Sequence, residues 1–277
     1  MSPAATETCP LQITVSATTD TLLAATRTFI KDLVGIDDGI TIVPQDQVSA
    51  VAMHSGQAPA ELIVVAQEAA DGEKRQGSLD VGAVAMESPV PVLVLRAPEG
   101  ESATFPAVDR ILVPLDGSAR SADALPLAAH IAKGAGLPVL FVMVIDPSRV
   151  IPPAFAYDPD AWTIVTELQE TAHWALKQAE SQMAREGVRV ESSLVYGPVN
   201  ACLQAAIRPT DLVIMTTQGS GKKAGRIGSV AARLLATAVG PVIVHRGRDQ
   251  RVIVVDGYEA CSWVEPLSRR SMMVRRA

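Results

Sequence analysis

Short apolar runs and longer amphipathic stretches alternate through most of the chain. The pattern is clearest after Arg110. Residues 111–115 (ILVPL) form a β-rich run that ends in Asp-Gly-Ser, a turn and helix-start signal. Residues 122–133 read as a helix, with Pro126 in its first turns and Gly134 at its end. LPVLFVMVID is a second apolar run, of the kind shown by a strand buried on both faces. A long helix is predicted over 161–186, where Ile164, Leu168, Ala172, Ala175, Ala179 and Met183 recur every three or four positions. That spacing predicts one buried face, and Gly187 closes the helix. VRVESSLVY alternates as a third strand, with Val188, Val190, Leu194 and Tyr196 on one face. DLVIM is the fourth strand, and PVIVHR, after the Gly240-Pro241 stop, is the fifth. Short helices over 199–207 and 229–238 fill the gaps.

Five strands separated by helices build an α/β fold, a doubly wound parallel five-stranded sheet with helices on both faces. Right-handed crossovers put the topological switch beside the first strand. Between the second strand and the long helix lies PSRVIPPAFAYDPD, too rich in proline for a helix. It carries Ile151, Phe155 and Tyr157, which are costly to leave in water. The loop is expected to be a mobile lid over the strand edge, or to bury these groups against a second copy of the chain.

The first hundred residues repeat this pattern incompletely. Residues 61–96 lie over 211–246 at a constant offset of 150, with ELIVV over DLVIM and PVLVLR over PVIVHR. RQGS matches RIGS after a one-residue slip, which places Gly77-Ser78 as a helix start. LQITVSATTD resembles RILVPLDGS, and between it and residue 61 there is room for one further strand, around 40–43. One βα unit is therefore expected to be missing. The division is a shortened first domain over 1–98, a linker over 99–108, a full domain over 109–247 and a tail over 248–277. The tail holds RVIVVDGYEACSW, read as an added edge strand with a solvated, Arg-rich end; the alternative is a third repeat begun and cut off. Both PVLVLR and PVIVHR would leave an open apolar edge, so antiparallel pairing of the two is expected, giving an internal pseudo-dimer.

Composition narrows the function classes. Of 277 residues, 48% are hydrophobic and 4% aromatic, which fits an aliphatic parallel-sheet core. The net charge of -6 argues against a nucleic-acid partner. Cys9, Cys202 and Cys261 are far apart, and the four histidines lack ligand spacing, so neither a metal site nor a disulfide framework is indicated. The N-terminal MSPAATETCP has no basic region or apolar run of a signal peptide, and the longest apolar run is about half a membrane span. A soluble protein of the reducing cytoplasm, with no membrane partner, is expected.

In a doubly wound sheet, ligands sit outside the carboxyl ends of the strands at the switch point. Three segments reach that edge: Asp116-Gly117-Ser118, Met143-Val144-Ile145-Asp146, and the loop TTQGSGKKAGRIGSV from Thr216. A carboxylate at Asp116 suits the exocyclic amine of a base, and backbone around Val144 suits its plane. Gly219, Gly221, Gly225 and Gly228 leave backbone N–H groups open to a phosphate, and Ser229 stands where a helix begins. Lys222, Lys223 and Arg226 add positive charge. The bland alternative is a mobile turn into the last helix.

Through ILVPLDGS, VMVID, MTTQGSG, GSVAARLL and PVIVHR, residues 110–246 resemble a universal stress protein domain, and the whole resembles a tandem, two-domain member. The resemblance implies a fold of the adenine nucleotide α-hydrolase type and pairing of domains through their last strands. In the ATP-binding branch it implies a nucleotide at the strand edge, held by a Gly-x2-Gly-x9-Gly-Ser/Thr loop. Carried over position by position, the binding residues are Pro114, Asp116, Val144, Thr216, Gly219, Gly228, Ser229 and Val230. Thr216 stands where the first glycine belongs, and the run from Gly219 to Gly228 is one residue short. A threonine there is expected to crowd the phosphate. In the first domain Thr18 replaces the aspartate, and Glu68, Asp71 and Glu73 would repel a triphosphate.

The leading expectation is a cytosolic stress-response or signalling protein that binds ATP, an adenine nucleotide, in the second domain only, with Mg2+ only if with ATP. The alternative is a nucleotide-free dimerisation and partner-docking scaffold of the same fold. A homodimer is compatible with either. No general base, Walker lysine or metal carboxylate pair is visible, so no enzyme is expected; slow ATP hydrolysis or autophosphorylation is allowed by resemblance alone. The paired glycines of an adenylating loop are absent from PLDGSARS.

Overall fold

Nine strands form one sheet in the order β2-β1-β3-β4-β9-β8-β5-β6-β7 among the described residues of the computed structural model, which are 12–17, 19–34, 40–43, 48, 60–68, 80–97, 104–151, 153–155, 158–218 and 227–247. The strands are β1 (Gln12–Ala17), β2 (Ile40–Ile42), β3 (Ala60–Glu68), β4 (Val92–Ala97), β5 (Arg110–Leu115), β6 (Val139–Ile145), β7 (Val190–Tyr196), β8 (Asp211–Thr216) and β9 (Val242–His245). Every adjacent pair is parallel except β4 with β9. The helices are α1 (Asp20–Val34), α2 (Val81–Glu87), α3 (Ala119–Ala122), α4 (Leu125–Ala135), α5 (Pro159–Arg185), α6 (Val199–Ala206) and α7 (Ser229–Thr237). The second half is thus the doubly wound five-stranded unit expected from its pattern. Among the described residues the first half supplies four strands and no counterpart of β7.

The antiparallel seam has a revealing register. Val92 pairs with Val244, Leu93 with Ile243 and Val94 with Val242. Leu93 and Ile243 are equivalent under the 150-residue offset, so each is its own equivalent's partner. That is the signature of a local twofold axis passing between the two strands. The expected pairing of PVLVLR with PVIVHR is present, and both faces carry it further. On one face α1 packs beside α4; on the other α2 packs beside α7. Two continuous cores result, one under α1, α4 and α5 and one under α2, α6 and α7. The expected linker is anchored at its end, where the Phe105 ring meets Phe29 of α1 edge-on at 5.7 Å.

Several local expectations are corrected. The helix read as 122–133 is two helices, α3 and α4. Ser118 caps the first, accepting the Ser121 N–H at 3.1 Å. Pro126, lacking an N–H, fits the opening turn of the second. Gly134 lies inside α4, and the left-handed residue that ends it is Gly136, φ 67°. The loop after β6 is not structureless: 3-10 turns form at Pro147–Arg149 and Pro153–Phe155. Ile151 is buried there while Phe155 is exposed, and Tyr157 lies outside the described residues. In α5 the buried residues are Val165, Ala172, Leu176, Ala179 and Met183, whereas Ile164 and Leu168 are 47% and 37% exposed. In the first turns of the helix only Val165 joins the core cluster, so the buried stripe runs one position off the predicted one there. The tail over 248–277 lies outside the described residues.

At the opposite, amino edge, Arg110 and Asp211 clamp β5 to β8. Arg110 Nε and Nη2 donate to the two Asp211 carboxylate oxygens at 3.0 and 2.6 Å, and the Arg208 N–H donates at 2.9 Å. Asp211 is fully buried. A Cβ on Gly240 would lie 2.7 Å from the Asp211 carbonyl oxygen, so the turn into β9 closes against this clamp without a side chain. Removing one partner of a buried pair strands the other charge. Asp211→Ala is expected to cost about 3 kcal/mol in urea unfolding; a loss below ~1 kcal/mol would mean that the clamp contributes little.

Candidate functional site

The carboxyl ends of β5, β6 and β8 open into a cavity of about 1520 Å³. It straddles the sheet edge at the switch point beside β5. Pro114, Asp116, Val144, Thr216, Gly228, Ser229 and Val230 all line it. Seven of the eight residues singled out from the sequence therefore converge on one space. The eighth, Gly219, lies outside the described residues, as do Lys222, Lys223 and Arg226.

Each rim element has its own local cause. β5 ends in Asp116, whose Oδ1 accepts the N–H and hydroxyl of Ser118 at 3.0 and 2.6 Å across Gly117, φ 76°. β6 ends in the same device. Asp146 Oδ1 accepts the N–H and hydroxyl of Ser148 at 3.2 and 2.5 Å. Both strands thus finish with a carboxylate whose orientation is set two residues later. Between them Val144 is half-buried, with its backbone in the β6–β7 ladder opposite Val195.

The β8 end is built differently. Thr216 is buried, and its hydroxyl donates to the Gln218 carbonyl at 2.7 Å. Thr217 N–H donates to His245 of β9 at 2.9 Å, and Gly228 N–H returns to the Thr217 carbonyl at 2.7 Å. Gly228 therefore closes the mouth of the loop, and a Cβ there would lie 3.4 Å from that same carbonyl oxygen. Gly228 is also the N-cap of α7, so the cap position carries no side chain to bond the amides of the first turn. Those amides and the helix dipole make a place for negative charge.

The equivalent helix of the first half is already capped. Its start is not Gly77-Ser78, as the sequence match placed it; Asp80 is the N-cap of α2, and its Oδ1 accepts the N–H groups of Gly82 and Ala83 at 3.0 and 3.2 Å. The chain's own carboxylate fills the role that an external anion would take. Thr18, Asp71 and Glu73, the other reasons for expecting one site, lie outside the described residues, as does the Glu68 side chain. At the end of β4, burial lowers the pKa of Arg96.

Sequence reasoning missed part of the wall. Arg149 follows the Asp146 turn, Arg246 follows β9, and Leu168, Thr171 and Ala175 come from the first two-thirds of α5. Asp80, Gly82, Ala83, Met86 and Glu87 come from α2, in the other half of the chain. The first three of α5 carry a readable signal, a three-to-four spacing offset from the buried face. The α2 residues carry none, because only the seam brings them here.

The capping role of Asp80 has a direct test. Asp80→Ala is expected to lower stability by about 1 kcal/mol while Asp80→Asn, an equally good cap, changes it by less than ~0.5 kcal/mol. Parallel urea titrations of the two variants measure this. Equal losses would assign Asp80 a role other than capping.

The sequence model of the Universal stress protein family matches residues 107–246. A universal stress protein of Methanocaldococcus jannaschii is 32% identical over 140 residues, covering 49% of this chain and 80% of that one. One from Mycolicibacterium smegmatis is 33% identical over 147 residues, covering 50% of this chain and 49% of that one, so the chain spans about half the length of this relative. A crystal structure of a universal stress protein from Archaeoglobus fulgidus is similar over 85% of this chain and 86% of that one, with a TM-score of 0.51 at 16% identity, a likeness of fold alone. No helix among the described residues is long and apolar enough to cross a membrane. The matched segment runs from just before β5 to the residue after β9 and contains the whole β5, β6 and β8 rim: the chain belongs to the universal stress protein family.

Proposed function

We propose that this protein binds one adenine nucleotide per chain, at the carboxyl edge of β5, β6 and β8, as a cytoplasmic stress-response or signalling protein. The observation that carries the reading is the asymmetry of the two related helix starts. α7 opens into the cavity behind a glycine, which offers its first-turn amides no side chain at the cap position, while α2 is capped there by Asp80. The base lies between Asp116 and the Val144 backbone, and the phosphate meets Gly228, Ser229 and Val230. The residues present fit this ligand class: the cavity of about 1520 Å³ exceeds what a nucleotide fills, and it combines apolar walls with a few oriented polar groups. Mg2+ enters only as the companion of ATP.

A second reading, a nucleotide-free scaffold for dimerisation and partner docking, draws on Thr216. Its buried side chain occupies the position where the family pattern has glycine, and its hydroxyl ties down the start of the loop. Titration calorimetry separates the two readings. Wild type is expected to bind ATP weakly, in the range of roughly 0.1–1 mM, with one site per chain. Gly228→Asp, which gives α7 the cap that α2 has, is expected to weaken binding at least tenfold while the fold is kept. Asp116→Ala is expected to reduce the preference for adenine over guanine nucleotides about tenfold, and Thr216→Gly to tighten binding. No heat from wild type or Thr216→Gly with either AMP or ATP at millimolar concentration would establish the scaffold reading instead.

A further inference from the structure

The cavity wall that faces the start of α7 belongs to the first half of the chain. Asp80, Ala83 and Glu87 follow one another on α2 at intervals of three and four, so they share one helix face, and all three line the cavity. Gly82 marks where the start of α2 meets the side chain of the residue leading into α7. A Cβ on Gly82 would lie 3.2 Å from Asp80 Oδ1 and 3.9 Å from Ile227 Cδ1, and Ile227 immediately precedes the α7 N-cap. The carboxylate and the entrance to the anion position therefore flank the same small residue. Among the described residues the charged side chains lining the cavity are Asp80, Glu87, Asp116 and Asp146 against Arg149 and Arg246.

We propose that α2 of the first half acts as an electrostatic length filter for the ligand of the second half, so that the site prefers a nucleoside monophosphate to a triphosphate. The inference rests on the nucleotide reading above and deepens it. A ligand anchored by its base at Asp116 and Val144 delivers its first phosphate to the open amides of α7. Each further phosphate extends toward α2 and brings negative charge up to Asp80 and then Glu87. Charges of like sign in a partly enclosed cleft repel more than they would in open water. The first half has no open anion position on α2, yet in this reading it is not idle. The carboxylate that fills its own helix start also limits what its neighbour accepts.

The double variant Asp80→Asn, Glu87→Gln tests this with little risk to the fold, because asparagine keeps the α2 cap. Calorimetry with adenosine, AMP and ATP, run with Mg2+ and with a chelator, gives the ratio of ATP to AMP affinity. The variant is expected to raise that ratio about fivefold, with adenosine unchanged. In wild type, raising the salt concentration is expected to move the ratio the same way, as screening weakens the repulsion. A ratio equal in wild type and variant overturns the filter. So does weaker Mg-ATP binding by the variant, which would make these carboxylates ligands of the metal. Absence of heat from adenosine, AMP and ATP alike would instead remove the nucleotide reading itself, and the filter with it.

Discussion

Everything in this molecule is arranged around the antiparallel pairing of β4 with β9. Each strand would otherwise end its half of the sheet with an unpaired row of amides and carbonyls between buried aliphatic residues. Leu93, Val94, Val242 and Ile243 are all buried on the seam. An edge of that kind, flat and apolar, recruits another strand. Here the recruit is supplied by the same chain at high effective concentration. Once the two strands pair, the helices on both faces must meet across the join. That sets α1 against α4 and α2 against α7, and it makes two continuous cores out of what would be four half-covered ones.

The same seam brings together two related helix starts that differ in their cap residue, Asp80 at one and Gly228 at the other. An uncapped helix presents unpaired amides and the positive end of a dipole. The chain satisfies this in two ways. At α2 it supplies Asp80. At α7 it supplies a glycine that closes the loop mouth through the Thr217 carbonyl and leaves the amides to whatever enters. Because α2 packs beside α7, the satisfied helix and the open one share a cavity, and the carboxylate of the first lines the same space as the start of the second. The half that lacks a strand counterpart of β7 among its described residues thus remains part of the site.

Stability and binding are separated along the strands. The buried clamp of Arg110 and Asp211 sits at the amino edge, where Gly240 closes against it. The candidate site occupies the carboxyl edge, where Asp116 and Asp146 are each held by a serine two residues on. α5 adds Leu168 to the wall of the cavity at this edge.

The sequence by itself determined the order of elements, the doubly wound class of the second half and the pairing of PVLVLR with PVIVHR. These follow from local periodicity and from the 150-residue repeat, which any chain with this pattern must express. It also determined the rim residues Asp116, Val144, Thr216 and Gly228, because strand ends at a switch point are where this topology opens. Only the tertiary structure decided the rest. Pro126 divides one predicted helix into two because a proline is easier to start with than to pass. Ile164 and Leu168 leave the core because Val165 takes the buried position in the first turns of α5, and Leu168 lines the cavity instead. Asp80, rather than Gly77-Ser78, starts α2 because its carboxylate reaches two amides at once. Above all, Asp80 and Glu87 reach the second half's cavity through packing between residues far apart in the chain, and no spacing within the sequence encodes a distance of that kind.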